Sequence, residues 1–406
     1  MKKILNSVGM AAIVMITLVA CEDKPNVYEF PVSKYFYEIP DEPVKENYVV
    51  GVPYEIRTTK NNMWMDNNKH LLYTGTPLLG EYDMRKDIYD NNKAVLRQQM
   101  DYAKQAGIDF FVISWGGHGL NDTILSVYEE LYKPGHPQVV IRFDPGYRFP
   151  KAARDTMQRN HAVMKQLMLD FDSLYSHVMN RDFGYKNKVN NNPVMAFCNF
   201  TNTAHITSII SLTQLLRDKV GNKVWIMGEL GSNWTSPERW GYYDETTRGV
   251  VQPDTIKAFD AVYITDVATD NKDRFDGYYS FMDYNYKYWQ ERMPEGKEYI
   301  PMIFPAFDNL VNNPNSNSYL IPRYNDETGP YIVSAMLSNP PKEYNLSNYD
   351  YNPYERLANV AKRNVGPSRI LLVHSWNNYS IGNTLEPTAE SGTDYLEYTR
   401  RFFKKP

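Results

Sequence analysis

The chain has 406 residues, 42 % of them hydrophobic and 23 % charged, with 44 Lys+Arg against 48 Asp+Glu and a net charge of −4. That composition belongs to a globular chain able to bury a large core, and it excludes disordered and collagen-like classes. The acidic surplus argues against a nucleic-acid partner, whose phosphates need basic residues to neutralise them.

In chain order, Lys2 and Lys3 precede an apolar stretch from Val8 to Ala20, which ends Leu18-Val19-Ala20-Cys21. A stretch this short is a secretory signal, not a membrane-spanning helix. Small Ala20 directly before Cys21 resembles bacterial lipoprotein signals, which implies removal of residues 1–20 and lipidation of Cys21. Glu22 and Asp23 resemble the surface-export signal of some Gram-negative lipoproteins. The expectation is an outer-membrane lipoprotein facing the exterior and held to the membrane by its lipid anchor. Without residues 1–20 the chain keeps 42 Lys+Arg against 48 Asp+Glu, a net charge of −6 that suits a neutral substrate. Cys198 is then the one thiol left beside the lipidated Cys21, so no internal disulfide forms. Residues 21–47, with Pro25, Pro31, Pro40 and Pro43 among many charges, read as a linker.

Eight short apolar runs follow: Tyr48–Tyr54, Ile108–Ser114, Gln138–Asp144, Pro193–Phe200, Lys223–Glu229, Ala261–Asp266, Glu298–Phe307 and Arg369–Trp376. They are rich in β-branched and aromatic residues, and several lack alternation, as parallel strands covered on both faces do. Helix-period segments separate many of them: Asn91–Ala106, Ala162–Met179, Thr207–Val220, Tyr278–Arg292 and Thr393–Phe403. Gly107 stands where the first of these must stop before a strand. Alternation of this kind predicts one α/β domain over 48–406, a single (β/α)8 TIM barrel.

In such a barrel the chemistry sits at the C-terminal strand ends. The residues closing the runs are polar or aromatic: Trp115 after Ser114, then Asp144, Asn199, Glu229, Asp266, Asp308 just past the seventh run, and Trp376-Asn377-Asn378 after the eighth. No H-E-x-x-H or Cys/His cluster supports a catalytic zinc, and no P-loop or G-x-G-x-x-G supports a nucleotide cofactor. A G-x-S-x-G elbow for a serine nucleophile is also missing. No cofactor and no metal are expected.

Three segments resemble glycoside hydrolase family 99, the endo-α-mannosidase and endo-mannanase barrels. The first is Pro77-Leu78-Leu79-Gly80-Glu81-Tyr82-Asp83, followed by Ala106-Gly107-Ile108-Asp109 and Ser114-Trp115-Gly116-Gly117. It is similar to the family's P-x-x-G-x-Y-D, A-G-I-D and S-W-W-G, with Gly116 in place of the second Trp. The second is Phe275-Asp276-Gly277-Tyr278-Tyr279 with Pro305-Ala306-Phe307-Asp308, and Arg323 and Gly329 downstream. The third runs from Ser375 to Pro387 and resembles the frame S-x-N-E-W-x-E-G-T-x-I-E-P. The resemblance implies a glycan substrate, an α-mannan-like polysaccharide above all. It also implies that two glutamates of that frame do the chemistry, one assisting the sugar 2-hydroxyl and one protonating the leaving group. Here those two positions hold Asn378 and Ile381. Neither side chain exchanges a proton near neutral pH, and acid–base groups contribute roughly 10²–10⁴-fold each.

Two readings remain open. An enzyme would use other carboxylates: Glu229 holding a proton and Asp266 ionised, on consecutive strands about 4.8 Å apart, with carboxyl groups about 5–9 Å from each other. The alternative for either residue is a salt bridge on the barrel rim. The second reading is a non-catalytic glycan-binding protein, with Tyr82, Trp115 and Trp376 stacking on sugar faces. Asp308, Arg323 and Asn377 would bond sugar hydroxyls, with Asp144 and Glu386 beside them. The enzyme reading is preferred.

Overall fold

A parallel strand buried on both faces needs helices above it and other strands beside it, and the apolar runs find both. In the computed structural model, the described residues are 37–56, 75–80, 82–84, 91–144, 148–149, 161–198, 206–230, 256–265, 278–310, 320–336, 346 and 349–406. The element order is β1 (Val49–Tyr54), α1 (Asn91–Gln105), β2 (Phe110–Trp115), α2 (Leu120–Leu131), β3 (Gln138–Phe143), α3 (His161–Leu174), β4 (Val194–Phe197), α4 (Ile206–Lys219) and β5 (Trp225–Leu230). There follow β6 (Ala261–Ile264), α5 (Tyr278–Arg292), β7 (Glu298–Tyr299), β8 (Met302–Ile303), β9 (Arg323–Asn325), β10 (Gly329–Tyr331), α6 (Pro353–Arg363), β11 (Ile370–Val373) and α7 (Asp394–Phe403).

Nine strands form one parallel sheet in the order β7-β6-β5-β4-β3-β2-β1-β11-β8. Its two ends are neighbouring pieces of a single run. β7 pairs with β6 and β8 pairs with β11. Across the break, Ile300 N donates to Val262 O at 2.8 Å, and Pro301 O accepts from Leu372 N at 2.8 Å. Pro301 has no N–H to give, which interrupts the ladder without parting the strands. The sheet therefore curls until its edges meet, and the eight runs read from the sequence are the eight staves of this barrel-like ring.

Alternation along each strand divides the core in two. Val49, Phe110, Val112, Val140, Met227 and Leu372 belong to a cluster inside the ring. Their neighbours one position along, such as Val50, Phe111, Ile113, Ile141 and Leu371, join a larger cluster with Leu96 and Met100 of α1, Tyr128 of α2 and Leu357 of α6. Gly51 is required inside: a Cβ there would lie 2.2 Å from the Phe110 ring and 2.7 Å from Leu372. Gly107 ends α1 with φ 73, the left-handed turn its position predicts.

Two helices were not among the five expected. The spacing of Leu120, Ile124, Val127 and Leu131 on α2 is helical, and α6 opens with Asn352 accepting from Tyr354 N and Glu355 N ahead of Pro353. The antiparallel pair β9–β10 was not expected either.

The described part of the expected linker, 37–47, does not run free. Tyr37 OH donates to Asp283 at 2.8 Å, Glu42 N to Asn359 at 3.1 Å, and Lys362 Nζ to Glu42 O at 2.5 Å, which fastens this segment to α5 and α6. The expected signal sequence, residues 1–20, and Cys21 lie outside the described residues. Among the described residues no helix is long and apolar enough to cross a membrane.

Candidate functional site

The C-terminal strand ends open onto a cavity of about 520 Å³. Its floor carries the inward parity of the staves: Ser114 of β2, Arg142 of β3, Glu229 of β5, Tyr263 of β6, Met302 of β8 and Leu372 of β11, with Glu55 and His374 just past β1 and β11.

Glu229 is the centre of the polar network. Arg142 grips it with both arms of its fork, Nε to Oε2 at 2.5 Å and Nη2 to Oε1 at 2.7 Å. Tyr263 OH donates to Oε2 at 3.0 Å. The same guanidinium donates to Ser114 Oγ at 2.9 Å and to Cys198 Sγ at 2.7 Å, and it stands 3.7 Å from Asp144. Burial opposes the Arg142 charge, but the hydrogen bonds and charge of Glu229 outweigh it and leave the guanidinium raised above its ordinary range. Burial first, and the Glu229 charge next, push both the Tyr263 hydroxyl and the Cys198 thiol up, so both stay protonated. A carboxylate whose two oxygens accept a bidentate guanidinium is an anion partner. Glu229, expected to hold a proton for the reaction, is here bound as the partner of the Arg142 guanidinium. Its rim salt bridge and its place in the cavity coexist.

Asp266 lies outside the described residues, as do Asn199 and the 275–277 part of the second motif. Asp144 is close to this network but is not in the cavity lining, and its backbone N donates to Trp115 O at 3.1 Å.

The aromatic residues expected to stack on sugars are instead buried beneath the rim. Trp115 is fully buried, donates from Nε1 to Asp122 at 3.0 Å, and stacks on Phe143 at 5.7 Å. It follows Ser114 by one position and so takes the outward parity. Trp376 is fully buried against Phe111, at 5.3 Å between ring centroids. Tyr82 is fully buried and gives its hydroxyl to Glu386 at 2.7 Å. None of the three offers a ring face to a ligand in this arrangement.

The polar residues expected to bond a sugar have protein partners. Arg323 donates to Thr384 O at 2.7 Å and lies over the Tyr395 ring. Asp308 accepts from Ser334 Oγ and from Leu310 N, and burial raises its carboxyl. Glu386 accepts from Tyr82, Tyr379 and Gln99, and burial raises it as well. Asn377 is fully buried and pairs with the Glu55 backbone, accepting from its N at 2.9 Å and donating to its O at 2.9 Å. At the positions where the family frame has its glutamates, Asn378 accepts from Ser380 Oγ at 2.6 Å and Ile381 gives its carbonyl to Asp308 N at 2.8 Å.

Arg142, Tyr263 and Glu55 were not among the candidates. Arg142 had a signal: a charged residue on the inward parity of β3, after the apolar Val139–Ile141, needs an anion facing it. Among the described residues no group of three or more His, Cys, Asp or Glu is placed to hold a metal ion.

No protein-family model matches the chain, and no curated protein matches it. Among solved structures, a glycoside hydrolase-like protein superposes with a TM-score of 0.66 at 21 % identity, over 93 % of this chain and 99 % of that one. An endo-α-mannosidase of glycoside hydrolase family 99 from Bacteroides thetaiotaomicron superposes with a TM-score of 0.55 at 13 % identity, over 87 % of this chain and 96 % of that one. The same enzyme with bis-tris propane bound gives a TM-score of 0.57 at 13 % identity, over 88 % and 97 %. At these identities the likeness is one of fold, and the fold is a glycoside hydrolase-like α/β barrel.

Proposed function

We propose that the chain is a glycoside hydrolase acting on an extracellular α-mannan-like polysaccharide in the barrel-mouth cavity, with Glu229 as its ionised carboxylate. The observation that carries this reading is Glu229 itself, at the end of β5, lining a cavity of about 520 Å³ and held by Arg142 and Tyr263. An anion fixed there meets the positive charge that develops at the anomeric carbon when a glycosidic bond breaks. The mannan preference rests on the motif resemblance and on the fold shared with an endo-α-mannosidase. Asp266, at the end of the run next to Glu229, remains a candidate for the second carboxylate. We further propose that residues 1–20 are removed, that Cys21 carries a lipid and that 48–406 is the working domain at the outer membrane. Palmitate labelling that Cys21→Ser fails to abolish would refute the anchor.

The test of the activity is incubation of the purified domain with yeast α-mannan and other α-glycans, with released oligosaccharides and binding heat measured in parallel. Release that Glu229→Gln abolishes supports hydrolysis. Asn378 and Ile381 favour a second reading, a glycan-binding protein without turnover, since neither side chain moves a proton. Binding heat without release would select it.

A further inference from the structure

We propose that Glu55 is the second carboxylate of the site, the group that gives a proton to the glycosidic oxygen; this rests on the hydrolytic reading above. Glu55 follows β1 directly, and β1 stands opposite β5 in the ring, with β2, β3 and β4 between them on one side. Glu55 and Glu229 line the same cavity and are the carboxylates among its described lining residues. A sugar in the cavity therefore lies between two acids on opposite walls, the arrangement a glycosidase needs.

Strand parity supports the direction of Glu55. Gly51 faces the interior ring of Phe110, Pro53 lines the cavity, and Glu55 is the next residue of that series, with Tyr54 and Ile56 of the other parity also reaching the lining. On β6 the inward series is Ala261, Tyr263 and Thr265. Val262 and Ile264, of the other parity, pack outside the ring.

The backbone at Glu55 is also held in place. The buried Asn377 amide makes two hydrogen bonds to the Glu55 backbone, each at 2.9 Å, and Trp376 N donates to Pro53 O at 2.9 Å. The chain past β1 is thereby bonded as though a further strand residue lay beside it. Asn377 is a positioning residue for Glu55. Arg142 meanwhile is committed to Glu229, Ser114 and Cys198. Arg142 thus sets a positive charge beside Glu229, which suits Glu229 to the part of the anion.

The step balances. The Glu55 carboxyl transfers its proton to the bridging oxygen as the C1–O bond breaks, and the leaving sugar departs as an alcohol. Glu229 faces the charge at C1. Water adds to C1 and returns a proton to the Glu55 carboxylate, so one water is consumed and both side chains end as they began.

The experiment compares the native domain with Glu55→Gln, Asn377→Ala, Asp266→Asn and Glu229→Gln on two probes, yeast α-mannan and a dinitrophenyl α-mannobioside, whose leaving group needs no proton. Glu55→Gln is expected to lose about 100-fold or more on mannan while staying within about 10-fold of native on the dinitrophenyl substrate. Asn377→Ala is expected to give the same split in weaker form, which a merely structural loss would not. Glu229→Gln is expected to fail on both. Circular dichroism confirms that each variant is folded. Native-like mannan cleavage by Glu55→Gln, or the split appearing in Asp266→Asn instead, overturns the assignment while leaving hydrolysis intact. A native domain that cleaves neither probe overturns the hydrolytic reading and this assignment with it.

Discussion

Glu386 is 1 % exposed and accepts three hydrogen bonds, from Tyr82 OH, Tyr379 OH and Gln99 Nε2, each at 2.7 Å. Glu386→Ala leaves those three buried donors without their acceptor. At about 1–3 kcal/mol for each orphaned group, and allowing for partial relaxation, the loss should reach about 3–5 kcal/mol, at the upper end for single substitutions. Urea denaturation measures it. The carboxyl also makes a pH prediction with a definite sign. Burial raises it above its ordinary value of 4.5, against the lowering effect of Gln99, Tyr82 and Tyr379. The unfolded chain thus releases this proton at lower pH than the native chain does. The stabilisation is full below the unfolded value and is lost as pH rises through the native one. Glu386→Gln cannot titrate and so escapes that loss. Its deficit against the native chain should be largest near about pH 4 and narrow toward about pH 8. A deficit that widens over this range would mean that the three donors outweigh burial, and it would refute the reasoning.

Gly51→Ala places a methyl 2.2 Å from the Phe110 ring inside the barrel; overpacking of this kind should cost about 1–3 kcal/mol in urea denaturation. Arg142→Met breaks a pair whose side chains are 22 % and 7 % exposed, with an expected loss of about 3–5 kcal/mol. Arg142→Met combined with Glu229→Leu should regain much of it, and a double variant no better than the single would show that the pair is not what was lost. Asn352→Ala removes the cap that accepts from Tyr354 N and Glu355 N and should cost about 1 kcal/mol. The Cys198 thiol, pushed up first by burial and then by Glu229, should resist iodoacetamide at about pH 8 in a Cys21→Ser chain and react once unfolded; rapid labelling of the native chain would contradict the placement.

The staves were legible because a parallel strand covered on both faces must be apolar at nearly every position, and little else produces six such residues between turns. The seventh run shows the same rule under strain, since Pro301 splits it into β7 and β8 while the ring stays closed. The α2 and α6 helices fall outside the expected set although the Asn352-Pro353 start is a local signal. The site was harder to read because the last residue of an apolar run is not always the residue that faces the mouth. Trp115, one position past its run, takes the outward parity, and Ser114 takes the inward one. The inward parity set by Val140 on β3 and Ala261 on β6 continues to Arg142 and Tyr263. The pairing of Asn377 with Glu55 joins residues 322 positions apart, and no local pattern announces a contact of that range.

That contact also accounts for a motif frame that persists without its two glutamates. Each of its other recognisable members has bonding of its own in this barrel. Asn377 fixes the Glu55 backbone, Glu386 collects Tyr82, Tyr379 and Gln99, and Thr384 O and Gly382 O receive Arg323. Trp376 fills the space against Phe111 and ties its N–H to Pro53 O. The segment from Ser375 to Pro387 therefore works as the wall that closes the ring beside β1, a task set by packing and backbone hydrogen bonds and indifferent to acid–base groups at 378 and 381. A wall of this kind rests on the side chains of Trp376, Asn377 and Glu386 and takes from Ile381 its backbone carbonyl. Under the hydrolytic proposal, chemistry at the mouth falls to the carboxylates that the wall and the staves hold in place, Glu55 on one side and Glu229 on the other.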